Sequence, residues 1–243
     1  MRHRDECEGR CHHAAAFRAR GASRRWPRAA ATLGLAALAL ALAGCNIFGP
    51  LLFFLSPPQI DKAEYRFAPK SRIAIFIEFA EPSQENPVFR KALHEKLEQI
   101  FQRRKVGGTV VPLDEVQRLR QRNPDFEGWG LQRVCRELKA DALIYLQVEN
   151  LNVRTTPQYP IIEPSASIRM KVISADEPSA SARVWPGSAE REGRLVQRAR
   201  AFREATSPVT VDAEARKLGV DLAYLCAMPF YDVDREEPVP WEP

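Results

Sequence analysis

Between Arg28 and Asp61 the chain carries no charged residue, although charged side chains make up 28% of the whole. This run constrains the fold more than any other feature. From Ala29 to Ala43 it is Ala and Leu apart from one Thr and one Gly. Such a segment has no polar face to turn to water. A globular domain therefore has to be assembled from the residues beyond it. The 28 residues ahead of the run hold eight arginines and three acids. A positive segment, an apolar segment of about 15 residues and then small residues is the layout of a secretory signal.

The last four residues of the run, Leu42-Ala43-Gly44-Cys45, resemble the lipobox of bacterial lipoproteins. That resemblance implies cleavage between Gly44 and Cys45, a diacylglyceryl group on the Cys45 thiol and an acylated new amino end. The physical logic agrees. A thiol is the soft nucleophile of the stretch, and two or more acyl chains anchor firmly where one does so marginally. The first partner expected is thus a lipid membrane, held through acylated Cys45. Asn46 follows the cysteine where an inner-membrane lipoprotein often has Asp, so the resemblance points to an exported protein facing the periplasm from the outer membrane. A competing reading makes Leu33 to Leu55 one uncleaved membrane helix, since roughly 20 apolar residues span a bilayer. Asn46, Gly49 and Pro50 interrupt it. Either reading puts the remainder across the membrane from the arginines.

The leader also explains the basic pI of 9.1. Of 36 basic and 31 acidic residues, eight basic and three acidic precede Ala29, leaving 28 of each. Nucleic-acid binding needs a basic surface, and the balanced remainder argues against it. Cys7 and Cys11 fall in the leader with His3, His12 and His13. Cys135 and Cys226 remain, either as buried thiols or as one disulfide, and spacing alone does not choose.

The expected organisation is a signal over residues 1–44, a lipidated Cys45 with a Pro-rich tether or edge wrap to residue 71, a single domain over 72–234 and a Pro-rich tail over 235–243. Arg72–Phe79, "RIAIFIEF", is a continuous apolar run and reads as a strand buried on both faces. Asn86-Pro87 starts a helix with Phe89, Leu93, Leu97, Ile100 and Phe101 on one stripe, and Gly107-Gly108 follows its end. "TVVPL" is a short strand. Asp114 to Arg122 and Trp129 to Lys139 are helices. Asp141–Val153 begins as a buried strand and then alternates; "ASIRMKVIS" alternates throughout; "ARVWP" is a further strand. The charged segment Pro186 to Pro208 shows a helical turn near Leu195 to Phe202, and Val211 to Met228 is the last helix. The order β-α-β-α-α-β-β-β-α predicts an α/β (α+β) fold, a mixed sheet with helices packed on it.

"SRIAIFIEFA", "RELKADALIYLQVENLNV", the ribbon pair and the helix ending in "FYDVD" together resemble the envelope-lipoprotein domains of the curli-secretion lipoprotein, the activators of penicillin-binding proteins and the amino-terminal domain of the Tol translocation protein. "PPQIDKAEYRFAPK" is similar to the segment before the first strand in uncharacterised bacterial lipoproteins. The resemblance implies an adaptor, secretion component or regulator whose partner is another envelope protein.

No catalytic constellation stands beside this. There is no phosphate loop and no nucleophile elbow, and no cofactor is expected. His94, on the first long helix, reads as a solvated surface residue. Asp141 reads as exposed at a loop end. Asp232 and Asp234 alternate along the tail but are too few for Ca²⁺. Tyr159 and Trp241 are aromatics available to a partner or to ordinary rim packing. Two functions are compatible with these residues: a binding, assembly or regulatory lipoprotein without catalysis of its own, or an envelope hydrolase acting on cell-wall or glycan material through paired carboxylates.

Overall fold

The computed structural model describes residues 59–153, 161–204 and 207–235. The chain divides into two units after Pro57, and all the described residues belong to the second. Cys45, Gly44, the Leu33–Leu55 run, Tyr159 and Trp241 lie outside the described residues.

The centre is three long strands, β2 (Arg72–Phe79), β4 (Ala142–Asn152) and β6 (Ser165–Ser174). β4 lies between the other two, parallel to β2 and antiparallel to β6. Beyond β2 lies β3 (Thr109–Val110), parallel to it. The far edge of β6 is shared by β7 (Arg183–Trp185) and β8 (Arg194–Ala199), both antiparallel to it. A separate short ladder joins β5 (Ile161–Ile162) to β9 (Arg203–Glu204). The predicted mixed α/β order holds, with β8 and four two-residue strands added to it: β5, β9 and a pair at Ile60–Asp61 and Val233–Asp234.

Alternation along the strands builds two cores. Ile73, Ile75, Ile77 and Phe79 of β2 face one side with Ile144 and Leu146 of β4 and Ile168 and Met170 of β6. Two helices cover them: α1 (Pro87–Arg104) and α4 (Pro208–Ala227). Ala74, Phe76, Leu143 and Tyr145 face the other side with Val116, Val134 and Cys135 of α2 (Leu113–Arg122) and α3 (Leu131–Glu137). Because β2 is apolar on both faces, it belongs between two layers.

The helix ends follow their sequence signals. The Asn86 side chain accepts the Phe89 N–H at 2.9 Å and Ser207 accepts that of Thr210 at 3.3 Å, each with Pro as the first helical residue. Helix α1 ends on Lys105 in the left-handed region, φ 54°, two residues before the expected glycines. α1 and α4 cross closely at Gly219, where a Cβ would stand 2.9 Å from the Phe89 carbonyl oxygen.

The expected tether needs correction from residue 59 onward. β1 (Ile60–Asp61) pairs with β10 (Val233–Asp234), and Arg235 grips Asp61 through two donor groups at 2.8–3.0 Å. Tyr65 and Phe67 then enter an aromatic cluster with Phe101, Trp185 and Phe230, neighbouring ring centroids lying 5.0–6.4 Å apart. The segment before β2 is thus part of the domain, the edge wrap that was the alternative to a tether.

Replacing Phe67 with Ala removes a buried aromatic and is expected to cost about 3–5 kcal/mol, read as a lower urea midpoint at unchanged slope. A chain beginning at Arg72 is expected to lose at least as much relative to one beginning at Gln59. Equal stability of the two truncated chains would return residues 59–71 to the tether.

Candidate functional site

The charged segment Pro186–Pro208 carries the most unusual chemistry of the fold. Its core is strand β8, not a helical turn, so the expectation for Leu195–Phe202 is corrected. Arginines recur at Arg194, Arg198 and Arg200, an even-numbered spacing that belongs to a strand. The strand is entered through Gly193 at φ +109°, where a Cβ would meet the Met170 carbonyl oxygen at 2.7 Å. The sheet thus continues past β6 only because this residue has no side chain.

The even-numbered residues of β8 face α4 and the domain edge. Arg194 lies over the Trp185 ring at 5.5 Å. It donates to Glu190 at 2.7 Å and to both Glu64 oxygens at 2.9–3.0 Å. Arg198 Nε donates to Asp221 at 3.2 Å, and Arg200 Nη1 donates to the same oxygen at 2.6 Å. Arg200 Nε also lies 3.5 Å from Glu214, and Lys217 completes the group 3.8 Å from Glu214. The Asp221 side chain is 0% exposed and that of Arg200 7%. Glu214 and Asp221 are seven residues apart on α4, two helical turns, and so share one face.

This brings two buried carboxylates onto one guanidinium. It meets half of what carboxylate catalysis requires, two acids within reach of one another. The other half is access for a substrate, and both acids are closed off from solvent and paired with cations. The chemistry this favours is mechanical: a charged clasp between α4 and the edge strand. The sequence signal for it is two acids on the apolar face of the last helix, among Ala215, Leu218 and Leu222. An acid on such a face needs a cation opposite.

The other sequence candidates fall elsewhere. His94 is buried at 0% exposure, correcting the surface reading. It precedes Leu97 by three residues and Phe101 by seven, which places it on the apolar stripe of α1. Burial drives its pKa down to about 4, partly offset by the backbone of Val111. Cys135 and Cys226 are free and buried on opposite sides of the sheet, so the disulfide alternative gives way to two structural thiols. Desolvation pushes each thiol up to about 12. Cys135 Sγ lies 3.2 Å from the Ala140 carbonyl oxygen, to which it donates. Asp141 is exposed as expected and accepts the Arg72 N–H at 2.7 Å. Asp232 is occupied by the Ala63 N–H at 2.8 Å and Arg66 at 2.5 Å, which hold its carboxyl below the usual range. Among the described residues, no cluster of three His, Cys, Asp or Glu is placed to hold a metal.

Three surface grooves stand out among the described residues, the smallest, of about 310 Å³, lined by Ser165, Ser167, Gln197 and Ala199 where β6 meets β8; the other two are larger. One, of about 550 Å³, lies between α1 and α4 and carries Lys91, Lys96 and Arg216. The other, of about 590 Å³, runs beside β8 between that strand, the end of α4 and the β1–β10 pair.

No family model matches the chain, and no curated protein matches it. Among solved structures, a PelC dodecamer from Paraburkholderia phytofirmans is similar at 12% identity and a TM-score of 0.32, over 71% of this chain and 96% of that one. Lipoprotein GNA1162 from Neisseria meningitidis is similar at 11% identity and 0.38, over 63% and 99%. A DUF330 protein from Xanthomonas campestris is similar at 10% and 0.39, over 70% and 90%. At these scores the likenesses carry no conclusion about function, nor do they bring in the curli-secretion, penicillin-binding-protein activator or Tol relationships.

Two outcomes test this geometry. Arg200→Met removes the guanidinium shared by two buried carboxylates, leaving Asp221 only Arg198 and Glu214 only the more distant Lys217, and is expected to destabilise by about 3 kcal/mol, with part of the loss recovered in R200M/D221L. An R200M chain that melts like the parent would contradict the clasp. For His94, the folded pKa lies below the unfolded value, so the unfolded chain binds the extra proton. Its stabilisation is therefore present above pH 6.5 and lost as pH falls toward 4. The expected loss between pH 7 and pH 5 is about 2 kcal/mol. In H94L the stability should be nearly flat over that interval, measured by urea titration at each pH.

Proposed function

We propose that this chain is a cell-envelope lipoprotein, anchored by acylated Cys45 on the periplasmic side of the outer membrane, that works by binding another envelope protein and not by catalysis. The observation that carries the reading is the arginine-rich leader running through an uncharged segment into Leu42-Ala43-Gly44-Cys45. The fifteen residues from Cys45 to Gln59 reach at most about 50 Å, which keeps the domain within a short distance of the lipid surface. The domain supports the reading by what it builds: a rigid mixed sheet fixed at its first and last strands, with charged side chains spent on holding an edge strand in place.

Metabolic labelling with a fatty acid, followed by co-purification from detergent-solubilised envelopes, tests it. The expected result is label on the chain, abolished by Cys45→Ser, and a stoichiometric protein partner retained by the wild-type chain. Absence of label would hand the anchor to the membrane-helix alternative. Turnover of cell-wall fragments by the purified wild-type chain would replace the binding reading with the hydrolase.

A further inference from the structure

The ladder between β6 and β8 fixes where the backbone groups of β8 point. The Arg200 N–H donates to the Pro164 carbonyl at 2.8 Å, and the register pairs Ala166 with Arg198, Ile168 with Val196 and Met170 with Arg194. In an antiparallel pair, hydrogen-bonded and non-bonded positions alternate. Arg194, Val196 and Arg198 are therefore the residues bonded to β6. The N–H and C=O groups of Leu195, Gln197 and Ala199 point away from the sheet, and none has a partner among the described residues. These three residues are exposed, Leu195 at 42%. Three outward pairs at alternate positions form a template for one more strand.

The groove of about 590 Å³ lies along the Arg194–Gln197 part of this edge. Its apolar floor is Val196, Leu225, Met228 and Pro229, and Asp61 and Val233 of the β1–β10 pair stand on the far side. Its lining charges balance, Asp61 and Glu64 against Lys62 and Arg194, and two of them are paired within the domain: Arg235 binds Asp61 and Arg194 binds Glu64. A slot with neutralised rims and an apolar floor complements an uncharged segment better than a charged one. The wall opposite the strand favours a single extended chain over the sheet edge of a second globular copy.

We infer that β8 is a strand-addition site, at which an extended, uncharged segment of another polypeptide pairs with Leu195, Gln197 and Ala199 and lays its alternate apolar side chains on Leu225 and Met228. This rests on the binding reading and names the chemistry of the partner. Main-chain hydrogen bonds supply the affinity in this mode, and side-chain pockets at every second position supply the specificity.

The test uses the full-length chain in detergent micelles and a phage-displayed library of random ten-residue peptides. Selected peptides are expected to alternate apolar and uncharged polar residues. Their binding should fall at least tenfold in Gln197→Pro, which deletes an outward N–H and is tolerated at a strand edge, and stay near the parent's in Gln197→Ala, which removes the same side chain but keeps the N–H. M228W, which fills the floor without touching the ladder, should weaken it similarly, so the outcome does not depend on one variant folding. Selected peptides that bind Q197P and M228W as tightly as the parent, or a selection that yields no binder, would overturn strand addition. The binding reading fails separately, when envelopes yield no partner for the wild-type chain. A partner still captured by Q197P would sink the β8 site and leave that reading standing.

Discussion

Asp221 is a carboxylate with no access to water, and the edge of the domain depends on how it is compensated. Leaving an ion of this kind unpaired costs several kcal/mol. Arg198 and Arg200, from the strand and the loop after it, supply the cations, and Glu214 shares Arg200 from two turns away on the same helical face. The apolar surface of β8 is small: Val196 is half-buried and Leu195 faces outward. Hydrophobic burial alone holds such a strand weakly. The ion cluster, the Arg194–Glu64–Glu190 group and the ladder to β6 hold it together.

The division of labour across the sheet follows from this. The face under α1 and α4 is apolar across β2, β4 and β6, with the aromatic cluster around Phe230, and turns charged only at β8. The opposite face is apolar only where α2 and α3 cover it. Farther along, it carries polar pairs: Tyr145 donates to Glu78 at 2.5 Å, and Arg169 binds Glu149 at 2.5 Å with Glu192 at 3.5 Å. Strand β6 records both environments: burial alternates as far as Val172, and Ile173 is buried as well, on the face covered by α2 and α3. Its outer edge belongs to β7 at one end and β8 at the other, so the charged segment between them closes one flank of the sheet while leaving β8 itself as the final strand.

The parts of this architecture that depend on neighbours a few residues away were legible in the sequence. The unbroken apolar run of β2, the Asn86-Pro87 start of α1 and the alternation of Ile168, Met170 and Val172 each name their element locally. What depended on distant partners was not. β1 and β10 are two residues each and exist because each pairs with the other across most of the domain. Phe67 looked like part of a Pro-rich spacer because its ring partners, Phe101 and Phe230, come from two helical segments far along the chain. The ion pairs of Arg194, Arg198 and Arg200 are not legible in the charged segment that carries them, since the acids that bind them include Glu64 and two on the last helix. His94 differs for another reason: beside Leu93 and Glu95 it reads as lying off the apolar stripe, but its spacing to Leu97 and Phe101 puts it within a stripe wide enough to bury it.

Amide hydrogen exchange along residues 194–199 addresses the clasped edge strand most directly. If β8 is held as described, the Val196 and Arg198 amides are protected on the timescale of global unfolding, while those of Leu195, Gln197 and Ala199 exchange within seconds to minutes. Rapid, uniform exchange across Pro186–Pro208, with the β4 and β6 amides still protected, would show a detached loop and contradict the account.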